Sequence, residues 1–402
     1  MSLNLFKSAL LLSACATSGT VLAQQKTSLD GRVNTITTAV PFLRISPDAR
    51  SGGMGDVGIA TEADANAQYW NIGKMPFAPK KYGISATYTP WLKELVPDIA
   101  LVYVAGYGKF GPDNNQAISG SLRYFNLGDI NYTNDFGTSL GTGKPREFSL
   151  DLGYSRRLSP YLSTGISLRY IHSAIANGLA AGQNGTDYKP GNALAADVGF
   201  FYTKTKEIDG PRTRTLNAGA VLSNVGTKIA YSSTRRDFIP INLGLGVANT
   251  WQLDEYNKFT VGLDVNKLLV PSPQYTDSAG FAVNPYYPDK TVVAGIFSSF
   301  GDAPGGFSEE LREIQISAGA EYWYQDQFGL RAGYFYEDKT KGDRKYFTVG
   351  GSARYNVFTL NFSYLIPSNS GTVRNPLSNT LRFSLLFEFD KLRGEKSADT
   401  GG

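Results

Sequence analysis

Three groups of residues in this chain have types and spacings that could do chemistry. The first is Gly53-x-Gly55-x-x-Gly58, inside the stretch RSGGMGDVGIA at residues 50–60. That is the spacing of a dinucleotide loop, whose backbone cradles a pyrophosphate at a helix N-terminus. Such a loop follows a buried apolar strand, but Ile45-Ser46-Pro47-Asp48-Ala49-Arg50 is polar and turn-prone, and no strand–helix alternation follows it. The glycines read instead as points where backbone turns tightly or passes close to other chain. The second group is His172-Ser173, which holds the only histidine. A serine and a histidine could form a nucleophile and its base, but neighbours on a strand point to opposite faces, and no acidic orienter is near in sequence. At a loop edge that argument weakens, so acyl hydrolysis stays as a chemical alternative to a histidine in an aromatic belt. The third group sets Asp151, Asp264, Glu321 and Glu388 against Arg123, Arg169, Arg331, Arg354 and Arg382 on polar alternate positions. Enclosed charges are normally paired, so ion pairing outweighs a catalytic carboxylate pair. One histidine and one cysteine exclude the usual zinc constellations. The expectation is no catalytic residue, no metal and no cofactor.

The elements that must position these residues are β-strands. Among 402 residues there are 24 Tyr, 23 Phe and 44 Gly, a β-rich composition. Only 18% are charged and the net charge is +4, too little and too scattered for nucleic acid. Residues 1–23 read as a signal peptide, with Lys7 in the n-region and Val21-Leu22-Ala23 before Gln24 as the cleavage site. Leu12-Ser13-Ala14-Cys15 resembles a lipobox and leaves lipidation at Cys15 as the alternative. Cleavage after Ala23 would remove the one cysteine and any disulfide chemistry with it. Beyond residue 23 no run of 18 apolar residues exists, so no helix of this chain can span a membrane.

What recurs is alternation with a period of two. Leu381, Phe383, Leu385, Phe387 and Phe389 share one face of a strand; Arg382, Ser384 and Glu388 share the other, with Leu386 as the exception. Phe259 to Val265, Phe148 to Tyr154, Phe347 to Ala353 and Phe358 to Ile366 repeat the pattern. A soluble sandwich also alternates. Here one face is rich in Phe, Tyr and Leu and the other in Gly, Ser and isolated charges, which suits a lipid-facing wall around a polar lumen. Fifteen segments qualify as strands. Demoting Thr291–Phe300 leaves fourteen, near 81–89, 98–108, 116–126, 147–157, 162–172, 193–204, 213–223, 241–251, 258–268, 314–325, 328–337, 345–355, 357–366 and 380–389. Short turns then alternate with long connections at 127–146, 173–192, 224–240 and 269–313, as periplasmic turns and outer loops do. The expected fold class is all-β: a 14-stranded antiparallel transmembrane β-barrel over 81–390, with a flexible tail at 391–402.

A lumen of fourteen strands is too wide for wall side chains to fill. Residues 24–80 are therefore expected as a glycine-rich plug, with Gly52, Gly53, Gly55 and Gly58 letting backbone lie against the inner wall. An ordered periplasmic segment is the alternative. Thr61 with Asp64 reads as a capping pair for a helix from Glu62 to Trp70. A connection of this length without structure would be unusual, so the 269–313 loop is expected to hold two short helices over the outer mouth, one opening at Ser308 ahead of Glu309 and Glu310. Its aromatics Phe281, Tyr286, Tyr287, Phe297, Phe300 and Phe307 are candidate partner contacts, or else pack on their own barrel.

Ser46-Pro47-Asp48-Ala49-Arg50 with Gly53-Met54-Gly55-Asp56, then Asp64-Ala65-Asn66 through Trp70-Asn71, resembles the N-terminal signature of the PorV family, outer-membrane proteins of the type IX secretion system. Gly301 to Glu310 resembles that family's long-loop signature, and the likeness runs over about 30–390. It implies a fold similar to the fatty-acid-transporter barrels and a place in the bacterial outer membrane, among its lipid. It also implies a binding role: association with the type IX translocon barrel, recognition of cargo through the C-terminal domain of each secreted protein, and transfer to an attachment complex with a sortase-like subunit. A lipid A deacylation role attached to a family name finds no catalytic set here. A passive channel for hydrophobic solutes is the alternative function.

Overall fold

The computed structural model describes residues 34–91, 98–133, 137–175, 189–232, 236–273, 290–368 and 380–391. The alternating segments become fourteen barrel strands: β1 (Tyr82–Pro90), β2 (Ala100–Phe110), β3 (Gln116–Asn126), β4 (Arg146–Arg157), β5 (Leu162–Ala174), β6 (Gly191–Asp209), β7 (Arg212–Gly226), β8 (Asn242–Gln252), β9 (Asn257–Leu268), β10 (Ile314–Tyr324), β11 (Phe328–Tyr336), β12 (Lys345–Tyr355), β13 (Phe358–Pro367) and β14 (Leu381–Phe389). Each pairs antiparallel with its neighbours in sequence, and β1 closes on β14 from Tyr82↔Phe389 to Tyr88↔Phe383. Closure leaves no open sheet edge in lipid, where an unpaired backbone group has no water to turn to.

The burial is inverted relative to a water-soluble protein. Leu152, Leu168, Leu194 and Leu330 point outward and are exposed, while Arg169, Asp197, Glu321, Arg331 and Arg382 point inward and are buried. Only an apolar solvent outside makes that arrangement stable. The largest departure from the expected strand ends is at β6 and β7, which run on to Asp209 and back from Arg212. The sequence alternation stops near Lys204 because a hairpin that leaves the bilayer no longer needs an apolar face.

Fourteen strands about 4.8 Å apart and tilted about 40° close a cylinder roughly 28 Å across between backbones. Residues 34–80 fill it. They carry two single-turn helices, α1 (Ala49–Gly52) and α2 (Ala67–Trp70), and 3₁₀ turns at Pro41–Arg44 and Ile72–Phe77. Val40, Phe42 and Leu43 join Leu101, Phe125, Ile171, Ile239, Ile241 and Leu269 in one apolar cluster. Each such buried side chain contributes about 1.5–3 kcal/mol. The expected helix from Glu62 does not form. Asp64 Oδ1 accepts from Asn66 N at 2.8 Å, a local turn that holds helix formation back to Ala67, and Thr61 caps nothing, its hydroxyl donating to the Gly58 carbonyl.

In the long outer loop, Thr291–Phe300, demoted from the strands, forms α3 (Val292–Ser298), capped by Thr291 Oγ1 accepting from Ala294 N. The second helix, α4 (Phe307–Glu310), starts one residue before Ser308. Gly306, at φ 69°, supplies the non-helical entry, and Ser308 Oγ donates back to the Gly305 carbonyl rather than capping. Glu309 and Glu310 do occupy its first turn.

Candidate functional site at the outer mouth

The glycines of the opening motif meet protein, with no space left for a nucleotide. A β-carbon on Gly52 would lie 2.5 Å from Arg382 Nη1, and one on Gly53 would lie 3.2 Å from Gly350 Cα. Gly55 adopts φ 69° and would strike the Tyr334 backbone at 2.5 Å; its N–H donates to Thr348 Oγ1. Gly58 differs from the expectation for the four: what crowds it is the Trp70 ring of the plug itself, not the wall. The wall answers with glycines of its own. Gly319 and Gly333 sit under Met54 and Gly55 so closely that neither could carry a side chain.

Polar anchors complete the seat. Asp48 caps α1 through Ser51 N and accepts from Trp70 Nε1 at 2.7 Å. Arg50 reaches Glu321 Oε1 at 2.8 Å, and Ala49 N donates to Ser384 Oγ. Asp264 Oδ2 accepts from Gly58 N at 2.7 Å and Ile59 N at 2.8 Å. The expected wall pairs form in part. Arg169 joins Asp151 and Asp197, and Arg331 joins Glu321. Arg123 instead donates to the carbonyls of Phe42 and Leu43, Arg382 approaches Asp56, and Asp264 serves plug backbone. Some wall charges therefore pair across strands, while Arg123, Asp264 and Glu321 also hold the plug.

His172 and Ser173 are separated as strand geometry requires. His172 Nδ1 lies 2.8 Å from Asn192 Oδ1 and its ring packs on Phe148. Ser173 points inward, where it donates to Glu147 Oε1 at 2.6 Å and accepts from Tyr231 OH. Among the described residues no group of three His, Cys, Asp or Glu gathers to hold a metal ion.

At the outer end the loop after β9 is clamped by buried ion pairs. Lys341 Nζ lies 2.6 Å from Glu309 and 3.0 Å from Glu313; Lys267 Nζ lies 3.0 Å from Glu310 and 2.6 Å from Glu313. Glu309 also accepts from Asn34 Nδ2, which ties the loop to the start of the plug. Beside it Glu337 is held by Arg344 at 2.8 Å and Arg44 at 3.4 Å. Burial alone would raise the Glu337 carboxyl, but those two guanidiniums keep it below the usual carboxylate range. Burial and the Arg344 charge bring Arg44 itself down to about 10. The fixed loop presents three aromatic rings outward: Phe297, Phe300 and Phe307 are 74%, 53% and 78% exposed. Phe281, Tyr286 and Tyr287 lie outside the described residues. Next to the loop is a cavity of about 400 Å³, lined by Val40, Phe125, Phe238, Val270 and Pro271 with Glu147 and Tyr231. Neither the clamp nor the cavity has a signal in the sequence beyond Glu309-Glu310-x-x-Glu313, because their partners come from distant strands.

The family model described as "Type IX secretion system protein PorV" matches residues 28–275. No curated protein sequence matches. Solved structures with similar folds include the monoaromatic hydrocarbon channel CymD, 11% identical over 88% of this chain and 100% of that one, with a TM-score of 0.47. The Ralstonia pickettii toluene transporter TbuX is 10% identical over 85% and 98%, at 0.44. A Pseudomonas aeruginosa FadL homologue is 10% identical over 89% and 100%, at 0.39. Likenesses this distant carry no argument about what this chain does. The family match covers more than half of a chain whose barrel is apolar outside and plugged within, and on it the protein belongs to the PorV family, outer-membrane proteins of the type IX secretion system.

Proposed function

We propose that this protein receives secreted cargo at its outer mouth through the cargo's C-terminal domain, at the type IX translocon barrel, and passes it to the surface attachment complex. The observation that carries this reading is the set of exposed rings Phe297, Phe300 and Phe307 on residues 290–313, a segment that buried ion pairs tie to the barrel. Aromatic side chains on a pre-ordered surface lose little freedom on binding, which favours an interface. The same loop's Phe281, Tyr286 and Tyr287 belong to the proposed contact. In this reading residues 1–23 are the export signal, 24–80 the plug, 81–390 the barrel and 391–402 a tail. The protein acts by binding, without catalysis of its own.

The test is a pull-down from detergent-solubilised membranes with the triple variant F297A/F300A/F307A. These rings are solvent-exposed, so the barrel should fold normally while cargo recovery drops at least about tenfold, as for loss of interface anchors. Full recovery of cargo by a folded triple variant would refute the assignment.

A second reading, a passive channel for hydrophobic solutes, is favoured by the apolar cavity at the outer mouth. Against it stand the buried side chains of Val40, Phe42 and Leu43, which fill the apolar cluster inside the barrel. Uptake of an apolar solute that is lost on deletion of the gene, with export intact, would favour this alternative.

A further inference from the structure

A second cavity, of about 220 Å³, lies at the opposite end of the barrel, between the plug exit and the short turns at 325–327 and 356–357. It is built, not incidental. Arg331 is 4% exposed, and its guanidinium is fixed by Nε donating to Glu321 at 2.5 Å and Nη1 donating to Asn361 Oδ1 at 3.3 Å. Its remaining nitrogen, Nη2, is buried without a partner. Asn361 is 1% exposed; its Oδ1 also accepts from Ser352 Oγ, and its Nδ2 has no partner. Both residues line the cavity. A third orphan, Glu388 Oε1, is an acceptor and lines it closer to the turn, where Glu388 N donates to the Val357 carbonyl. Trp323 forms a flat wall, with the Arg354 guanidinium 4.6 Å from its ring centroid. Leu386, the residue that breaks the β14 alternation, is another part of the lining.

Buried polar atoms without partners are rare and call for an explanation. The other charges here are already committed. Arg50 pairs with Asp64 and Glu62, and Lys258 with Asp326. What remains is a deep pair of N–H donors with a guanidinium beside them, and one carboxylate acceptor nearer the mouth. We propose that this cavity is a binding site, reached from the periplasmic side, for a small ligand that carries a carboxylate with an N–H donor next to it. The carboxylate docks on Arg331 Nη2 and Asn361 Nδ2, the geometry that charge-assisted donors favour. The neighbouring N–H faces Glu388. At about 30 Å³ per non-hydrogen atom the cavity holds roughly seven such atoms. That admits a free amino acid or the last residue of a polypeptide, which share this chemistry.

Calorimetric titration of the detergent-purified full chain tests the site with four probes: glycine, N-acetylglycine, acetate and methylamine. Saturable binding of glycine or N-acetylglycine is expected, with acetate at least about tenfold weaker and methylamine not bound, since each of the latter satisfies only one side of the site. Glycine binding alone identifies a free amino acid; N-acetylglycine binding at least as tight identifies a chain terminus. Asn361→Asp keeps the volume and the acceptor toward Arg331 and Ser352 but replaces the free donor, and should weaken binding at least about tenfold. Should that variant fail to give the folded, heat-modifiable barrel, Glu388→Met, which removes the acceptor proposed to face the N–H, carries the same expectation. The proposal is overturned if no probe binds the folded protein, if acetate binds as tightly as glycine, or if a folded variant binds like the wild type.

Discussion

Asp264 offers the sharpest test of how the plug is held. Its Oδ2 accepts two backbone hydrogen bonds, from Gly58 N and Ile59 N, and the residue is fully buried. In Asp264→Ala both donors lose a charged acceptor in a place water does not readily reach. Hydrogen bonds to charged groups contribute about 1.5–3 kcal/mol each, so the loss at this point is about 3–6 kcal/mol. The barrel itself keeps every ladder bond, and the plug keeps its contacts at Arg50–Glu321 and Ala49–Ser384. The perturbation is therefore local: a folded barrel whose residues around 56–60 open more often. Hydrogen–deuterium exchange of that peptide should accelerate by roughly 10²–10⁴, following the same free energy. Asp264→Asn retains one acceptor and should fall between. Exchange within about threefold of wild type in Asp264→Ala, with the barrel folded, would refute the claim that this carboxylate anchors the plug.

Three further outcomes follow from the same geometry. Gly333→Val puts a side chain where Met54 and Gly55 already lie; the plug should be displaced, seen as new proteolytic cleavage within 34–80 of the folded barrel, and wild-type resistance would count against the packing described. Lys341→Met leaves Glu309 without its buried cation and Glu313 with Lys267 alone, a loss of about 3–5 kcal/mol, read as protease sensitivity in 290–313 while barrel strands stay protected; no change in sensitivity would contradict the clamp. Glu337, held below its unfolded value of about 4.3, contributes stability that is present above that pH and is lost as pH falls through its lower folded value. Melting curves of wild type and Glu337→Gln between neutral pH and pH 3 should converge only in that acid window, and a pH-independent gap would disprove the linkage.

Much of the fold was legible in the chain because a strand's period of two and the length of its turns are local properties. Leu381–Phe389 announces its lipid face by itself, and the alternation of short and long connections sets which end lies outside. The glycine run at 52–58 signalled close approach for the same reason: glycine's lack of a side chain is written in the sequence. What it approached was not. Gly319, Gly333 and Gly350 in the wall look like ordinary strand glycines until the register sets them under Met54, Gly53 and Gly55. The helix expected at 62–70 failed because Asp64 turns back on Asn66 and also reaches Arg50, a contact that propensity does not encode.

The candidate sites divide the same way. The aromatic loop could be read from composition, but the tie of its 290–313 part to the barrel depends on Lys267, near the end of β9, and Lys341, in the turn after β11, which meet Glu309, Glu310 and Glu313. The orphaned donors of Arg331 and Asn361 appear only when β11 and β13 are brought to either side of β12. Sequence by itself settled which face each strand turns to lipid and that the lumen needs filling, because solvent preference acts residue by residue. Which groups meet inside was decided by closure of the barrel around the plug, since that alone brings positions hundreds of residues apart within hydrogen-bonding distance.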